Sequence, residues 1–331
     1  MTLSRQHLRT HLATVIFTVL ALVGIPSSNA AIPVVFHTDI GTDIDDTWAL
    51  AQLLRCRELD LKLVLTDTGD TRHRAELAAK FLELAGRSDV PIAIGVPGPE
   101  DQQPRNQEPW VKGYDLARYP SKVHADGVAA LLEFLASSPE PVTIISVSAV
   151  TTLARALERQ PDIARRARFV GMHGSFDVGY GDKAPAAAEW NVKVDPAALR
   201  VVLAAPWREI LLTPLDTCGS VDLENQDYHA IWSATSDPIL RALIENYCIW
   251  APRVPWMRCD FFAVRSTTLF DSVAVYLAYD ESFVETETVR FRVTDEGYTI
   301  RDDTGSTARV ALRWSDRSAF ERDLVQRLLQ R

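Results

Sequence analysis

The run Ile32-Pro33-Val34-Val35-Phe36-His37-Thr38-Asp39-Ile40-Gly41-Thr42-Asp43-Ile44-Asp45-Asp46-Thr47 decides how the rest of the chain is read. An apolar, strand-like segment from Ile32 to Phe36 enters a turn carrying four aspartates, and a helix-like stretch from Trp48 to Leu54 follows. Aspartate favours helix N-caps and turns, which accounts for one or two acidic residues here. Four on one strand-to-helix turn repel each other strongly unless a cation sits among them. Ligands that are all oxygen suit a hard cation, Ca²⁺ or Mg²⁺, and not zinc. The turn therefore predicts a metal site at the carboxyl end of the first strand.

Outward from that turn the chain alternates between short apolar runs and helical patterns. The expected strands are 32–36, 61–65, 92–94, 142–147, 169–172 and 210–212, with helices at 48–54, 74–84, 127–135, 151–158 and 196–203. Asp195-Pro196 opens the last of these as an N-cap followed by proline at the first helical position. This is an α/β pattern: a doubly wound, mostly parallel sheet with helices on both faces. Ligands of such sheets bind beyond the carboxyl ends of the strands, where the aspartates lie. Residues 97–123 read as a long loop, 238–247 as a helix, and 250–256 as an aromatic, proline-rich lid or connection. Alternation at 289–293, turns at 295–297 and 302–305 and an amphipathic helix with Phe320, Leu324, Val325 and Leu328 predict a small C-terminal β/α extension.

Residues 1–30 carry Arg5 and Arg9, an apolar stretch from Leu12 to Ile25 and the small-residue site Ser28-Asn29-Ala30, the pattern of a secretory signal peptide. The expected domain is then 31–331, secreted or periplasmic, with no stable membrane insertion after processing. The formal charge is −9, and losing Arg5 and Arg9 leaves 33 basic against 44 acidic residues, −11. That balance argues against nucleic acid or an anionic membrane as partner and favours a small neutral or cationic ligand. Cys56, Cys218, Cys248 and Cys259 show no zinc-type spacing; Cys248 with Cys259 is the expected bridge, and Cys56 a buried thiol.

The Asp-rich run resembles the N-terminal signature of the inosine-uridine-preferring nucleoside hydrolases, in a variant with two extra residues before the Asp pair. The resemblance identifies Asp39 as the water-activating, metal-binding aspartate and Asp45-Asp46 as the pair. Thr66-Asp67-Thr68-Gly69-Asp70 resembles a segment that usually ends Gly-Asn, so Asp70 stands where an Asn contacts the sugar. His124-Ala125-Asp126-Gly127 resembles a segment bordering the base pocket. Ser148-Ala149-Val150-Thr151-Thr152 implies a metal-ligating carbonyl on Thr151, and Met172-His173-Gly174 resembles the end of a core strand. Ala188-Glu189-Trp190-Asn191 is similar to the family's Ala-Glu-Phe-Asn, implying that Glu189 and Asn191 bind ribose hydroxyls. Pro214-Leu215-Asp216 and Phe270-Asp271 complete the order, with Asp271 closing the metal shell. What the resemblance implies is Ca²⁺-dependent hydrolysis of the N-glycosidic bond of a nucleoside or related riboside, often by a homo-oligomer.

The chemistry of this set is coherent. Ca²⁺ accepts six to eight oxygens, and Asp39, Asp45, Asp46, Asp271 and the Thr151 carbonyl leave room for water and sugar hydroxyls. Asp39 takes the proton of the attacking water, and nearby carboxylates stabilise an oxocarbenium-like state. Many relatives protonate the departing base with a His before the last Asp; here Phe270 holds that place, so His173 is the expected acid, with His124, His229 and Tyr228 behind it. Met172, Trp190 and Phe270 are expected to line the substrate pocket. Two other readings use the same residues: Asp43-Ile44-Asp45-Asp46-Thr47 fits a Mg²⁺-dependent haloacid-dehalogenase-type phosphohydrolase, and a non-catalytic exported nucleoside- or sugar-binding protein would keep the metal without turnover.

Overall fold

The computed structural model describes residues 30–98, 103–255 and 264–330. In chain order the elements are β1 Ile32–Thr38, α1 Asp45–Leu53, β2 Leu59–Thr66, α2 Thr71–Leu84, β3 Ile92–Ala93, α3 Glu108–Val111, β4 Val123–His124, α4 Gly127–Ser137, β5 Val142–Ser146 and α5 Thr151–Arg159. Then come β6 Ala167–Met172, α6 Trp190–Val194, α7 Pro196–Ala204, β7 Ile210–Thr213, α8 Leu215–Cys218, α9 Asn225–Ser233, α10 Pro238–Trp250 and α11 Phe270–Leu277. β8 Val284–Val293, β9 Thr299–Arg301, β10 Ser306–Trp314 and α12 Arg317–Leu329 close the chain.

The strands form one ten-stranded sheet in the order β4-β3-β2-β1-β5-β6-β7-β10-β8-β9. The pairings from β4 through β10 are parallel, and β8 pairs antiparallel with both β10 and β9. The first four strands step outward from β1 in one direction and β5 restarts on its other side. The carboxyl ends of β1 and β5 therefore flank the point where strand order reverses, the place where open α/β sheets leave a crevice. Period-two alternation sends Val34 and Phe36 into a core with α1, α2, α10, α11 and α12, and Val35 into a second core with α4, α5 and α7. Burial on both faces explains why these strands read as continuous apolar runs.

All six expected parallel strands and their helices form. The stretch read as a long loop, 97–123, contains α3 and ends at the first residue of β4, and its Asn106 donates to the backbone of the Asp-rich turn. The C-terminal extension is not a separate appendage, because β10 pairs with β7 and continues the main sheet. Cys56, Cys218 and Cys248 carry free thiols; Cys259, the expected partner of Cys248, and most of the signal-like segment lie outside the described residues. Among the described residues no helix is long and apolar enough to cross a membrane.

Candidate active site: a carboxylate cluster at the switch point of the sheet

After Thr38 the chain turns sharply through Gly41, at φ +115°, where an added Cβ would stand 2.5 Å from Leu77 Cδ1 on α2. Only glycine serves there, because L side chains are strained at this φ and the space is filled. The turn is held by its backbone. Asn106 Nδ2 and Trp250 Nε1 both donate to the Thr42 carbonyl, at 2.7 and 3.1 Å, and Asn106 N donates to the Gly41 carbonyl. From beneath, the buried Arg74 guanidinium donates to the carbonyls of Asp39, Ile40 and Thr68, to the Thr42 hydroxyl and to Gln103. Its hydrogen bonds are spent on carbonyls and neutral oxygens, so its charge reaches the aspartates only through space.

Asp45 and Asp46 open α1, which no side chain caps. Asp271 occupies the first turn of α11, likewise without capping it. Packing of α11 against α1 within the same buried apolar layer brings these distant residues together. One ligand oxygen from each of Asp45, Asp46 and Asp271 lies within 4.8 Å of the others, and all three residues are buried. Burial first, and the neighbouring carboxylates next, hold all three pKa values well above the ordinary aspartate range. Thr38 Oγ1 donates to Asp46. Asp39, also buried, is raised by desolvation and partly restrained by the Arg74 charge. Asp43 is half-buried, accepts from the Ile44 amide at 2.7 Å, and is pushed up to about 6 by burial. Such a donor set, acidic, desolvated and mutually repelling, is chemically incomplete without a cation, and its oxygens suit a hard one.

The second expected group lies beyond β6. Glu189 caps α6: one oxygen accepts from Asn191 N at 2.7 Å, the other from Gly174 N and Val192 N at 3.1 and 3.2 Å. Burial still raises it to about 7. Asn191 Nδ2 donates to the Met172 carbonyl at 3.1 Å, and both residues are buried. Trp190 is 40% exposed, and its amide donates to the Tyr180 hydroxyl at 2.8 Å. The Tyr180 ring meets Phe270 edge-on, with centroids 5.9 Å apart.

Several expectations change in these surroundings. His173 is 0% exposed, its Nε2–H is committed to the Ser148 carbonyl at 2.9 Å, and burial drives it down to about 3. It packs on Phe169 in the α4/α5/α7 layer, so it is a neutral imidazole with no proton facing the carboxylates. His124 sits on β4, three strands from β1, roughly 14 Å at ordinary strand spacing. Asp70 caps α2 through His73 N and pairs with Arg105 at 2.7 Å, so its carboxylate is already engaged. The Thr151 hydroxyl donates to Asp195 at 2.8 Å, leaving its carbonyl as the atom that could turn to a metal. His229 and Tyr228 lie on α9 in the layer of α10 and α12.

The sequence assigns no role to four residues of the site: Arg74, His37, Asp67 and Tyr180. Arg74 reads there only as a helix residue. His37 and Asp67 are fully buried, with His37 bridging Ser146 Oγ at 2.8 Å and Asp67 at 2.9 Å; Asp67 also accepts from the Thr152 amide and hydroxyl. This chain of bonds ties β1, β2 and β5 together at the switch point. Tyr180 gives one signal, an aromatic residue between two glycines, Gly179 and Gly181.

Comparison with known proteins agrees with this geometry. The family model for inosine-uridine preferring nucleoside hydrolases matches residues 34–322, and the chain belongs to that family, whose members are enzymes acting on N-glycosyl bonds. Among curated relatives, the pyrimidine-specific ribonucleoside hydrolase RihA of Citrobacter koseri is 30% identical over 224 residues, covering 65% of this chain and 70% of its own. The non-specific ribonucleoside hydrolase RihC of Escherichia fergusonii is 31% identical over 255 residues, 71% of this chain and 82% of its own. A plant nucleoside hydrolase of known structure shares the fold, with a TM-score of 0.74 at 22% identity, over 91% of this chain and 99% of its own. The phosphohydrolase reading of Asp43 to Thr47 is set aside by this membership.

Proposed function

We propose that the protein is an exported, Ca²⁺-dependent ribonucleoside hydrolase that splits the N-glycosidic bond to give free base and ribose. The observation that carries this reading is the set of three buried carboxylates, Asp45, Asp46 and Asp271, converging within 4.8 Å at the switch point. Family membership and the ribonucleoside hydrolases among its relatives support the reaction class. Export rests on the pattern of residues 1–30 alone.

Asp45, Asp46 and Asp271 hold the cation, with Asp39 and the Thr151 carbonyl as further donors. Once bound, the ion supplies positive charge that offsets the carboxylates and acidifies water and sugar hydroxyls. Asp39 accepts the proton of the water that attacks C1′ of the ribose. Positive charge developing on the sugar ring is met by Asp45 and Glu189. Asn191 and the Glu189 carboxylate edge position the ribose, while Trp190 and Phe270 offer aromatic surface to the base. Neither Asp70 nor Met172 has a free polar group for the sugar: Asp70 shapes the rim through Arg105, and Met172 fixes Asn191.

The test is reducing-sugar release from uridine, cytidine, inosine and guanosine by purified protein, in EDTA and after Ca²⁺ is restored. Ribose released only with the cation is the expected result. Cation-dependent thermal stabilisation without release from any nucleoside would favour the binding-protein reading instead.

A further inference from the structure

Base departure needs a hydrogen-bond or proton donor, because a purine or pyrimidine anion is a poor leaving group. The hydrolase reading commits Asp45, Asp46 and Asp271 to the cation, Asp39 to the water and Glu189 to the sugar, while His173 has committed its proton to a carbonyl and Phe270 has none. Resting on the hydrolase reading above, we propose that Tyr180 is the donor to the departing base, held in place by Asp216.

Four observations converge on this residue. Its oxygen is already an acceptor, taking the Trp190 amide, so its own O–H is directed elsewhere; among the described residues no carbonyl or carboxylate receives it. Its ring packs edge-on against Phe270, the residue preceding Asp271. Glu189 and Asp45 both act on its hydroxyl electrostatically, yet the side chain keeps 45% of its surface open to an incoming ligand. Desolvation of the hydroxyl end, with Glu189 next, raises its pKa, so the oxygen keeps its proton at neutral pH.

The segment that carries Tyr180 is braced like a bracket. The Asp216 carboxylate accepts the amides of Phe176, Asp177 and Val178 at 2.8, 2.7 and 3.3 Å. The Ser175 hydroxyl donates to the Val178 carbonyl and accepts from Ala187 N. Thr299 Oγ1, on β9, bonds both the amide and the carbonyl of Ser175. Gly179 and Lys183 then pair across the tip, with Tyr180 directly after the first of them. A side chain with no partner but Trp190 and Phe270 would not need so rigid a mount; a donor that must meet a reacting atom does.

The step balances simply. Water oxygen bonds to C1′ and gives one proton to Asp39. The C1′–N bond breaks with its electron pair passing to the base nitrogen, and the Tyr180 proton moves to that nitrogen. Solvent returns the proton from Asp39 to the phenolate, so riboside and water become ribose and neutral base.

The test compares leaving groups. Tyr180→Phe and wild type are assayed on uridine and inosine, and on 4-nitrophenyl β-D-riboside, whose nitrophenolate departs without protonation. The expected result is a kcat loss of about 100-fold on the nucleosides, within the usual range for a positioned acid, and under about 3-fold on the nitrophenyl riboside. Asp216→Asn should show the same selectivity more weakly, and add nothing to Tyr180→Phe in the double variant. Equal losses on all substrates, or no loss on nucleosides, would overturn the assignment. A wild type that cleaves neither kind of substrate would overturn the hydrolase reading itself, a distinct outcome.

Discussion

Replacing Asp271 with Asn should make the ion-free protein more stable, the reverse of what loss of a buried polar partner usually does. In the cation-free state the Asp271 carboxylate faces Asp45 and Asp46 with ligand oxygens within 4.8 Å. At an effective dielectric of about 20, each unit-charge pair at that separation repels by about 3.5 kcal/mol, so the two pairs reach about 7 kcal/mol when all three are ionised. Protonation relieves part of this, since burial and repulsion hold all three pKa values well above 3.8. Folded-state pKa values above the unfolded ones mean that the native state binds more protons. Ion-free stability is therefore lost as pH rises from about 4 towards neutrality and beyond. Asp271→Asn removes one charge isosterically and should recover about 2–4 kcal/mol at pH 8, or roughly 4–8 °C of melting temperature in a domain of this size. The gain should vanish near pH 4. Saturating Ca²⁺ should act oppositely on the proposed site: at 100 times its Kd it should stabilise wild type by about 2.7 kcal/mol, and the variant much less. Differential scanning calorimetry from pH 4 to 8, in EDTA and in Ca²⁺, reads both effects. An Asp271→Asn variant that melts lower than wild type in EDTA at pH 8, or that keeps the full Ca²⁺ response, would refute the reasoning.

Further outcomes follow from the same geometry. Asp39→Ala should abolish ribose release, by at least about 100-fold, with the circular dichroism spectrum unchanged; retained turnover removes Asp39 as the base. Glu189, raised from 4.5 to about 7, costs the folded state about 3 kcal/mol as pH climbs through that interval. In Glu189→Gln that slope should disappear from the pH dependence of unfolding, although the variant is less stable overall for want of a second acceptor oxygen at the α6 cap. Gly41→Ala should lower stability by about 2–3 kcal/mol and lose activity with it, because both its φ and the contact with Leu77 forbid a Cβ. Mass spectrometry of exported protein should find Ala31 at the amino terminus; material retaining residues 1–30 would contradict signal processing.

Much of the fold was legible because its signals are local. Apolar runs of strand length, Asp-Pro helix starts and the Asp-rich turn each declare themselves within a few residues, and their alternation leaves little choice but a parallel sheet. Even the fate of His173 was present in the period-two pattern. It shares parity with Phe169 and Gly171, which face the α4/α5/α7 layer, and not with Val170 and Met172. A histidine that reads as an acid at a strand end is a buried strut because of that parity.

Other features depend on what packing brings together. Glu189, Asp70 and Asp195 have the composition of ligands, but which of their oxygens helix amides and Arg105 have already claimed depends on where the neighbouring segments fold. Arg74 is one basic residue among many until α2 slides beneath the Asp-rich turn. Tyr180 stands in a loop without periodicity, and only the bracket from Asp216 and Thr299 turns it towards Phe270. The sequence by itself determined the inventory: a parallel α/β sheet and the acidic residues at its carboxyl edge, because periodicity and turn chemistry act over a few residues. Tertiary structure alone decided that Asp271, more than two hundred residues from Asp45, closes on the same few ångströms. Charges that repel one another are held there by the burial of apolar surface between α1 and α11, not by any attraction written in the motif.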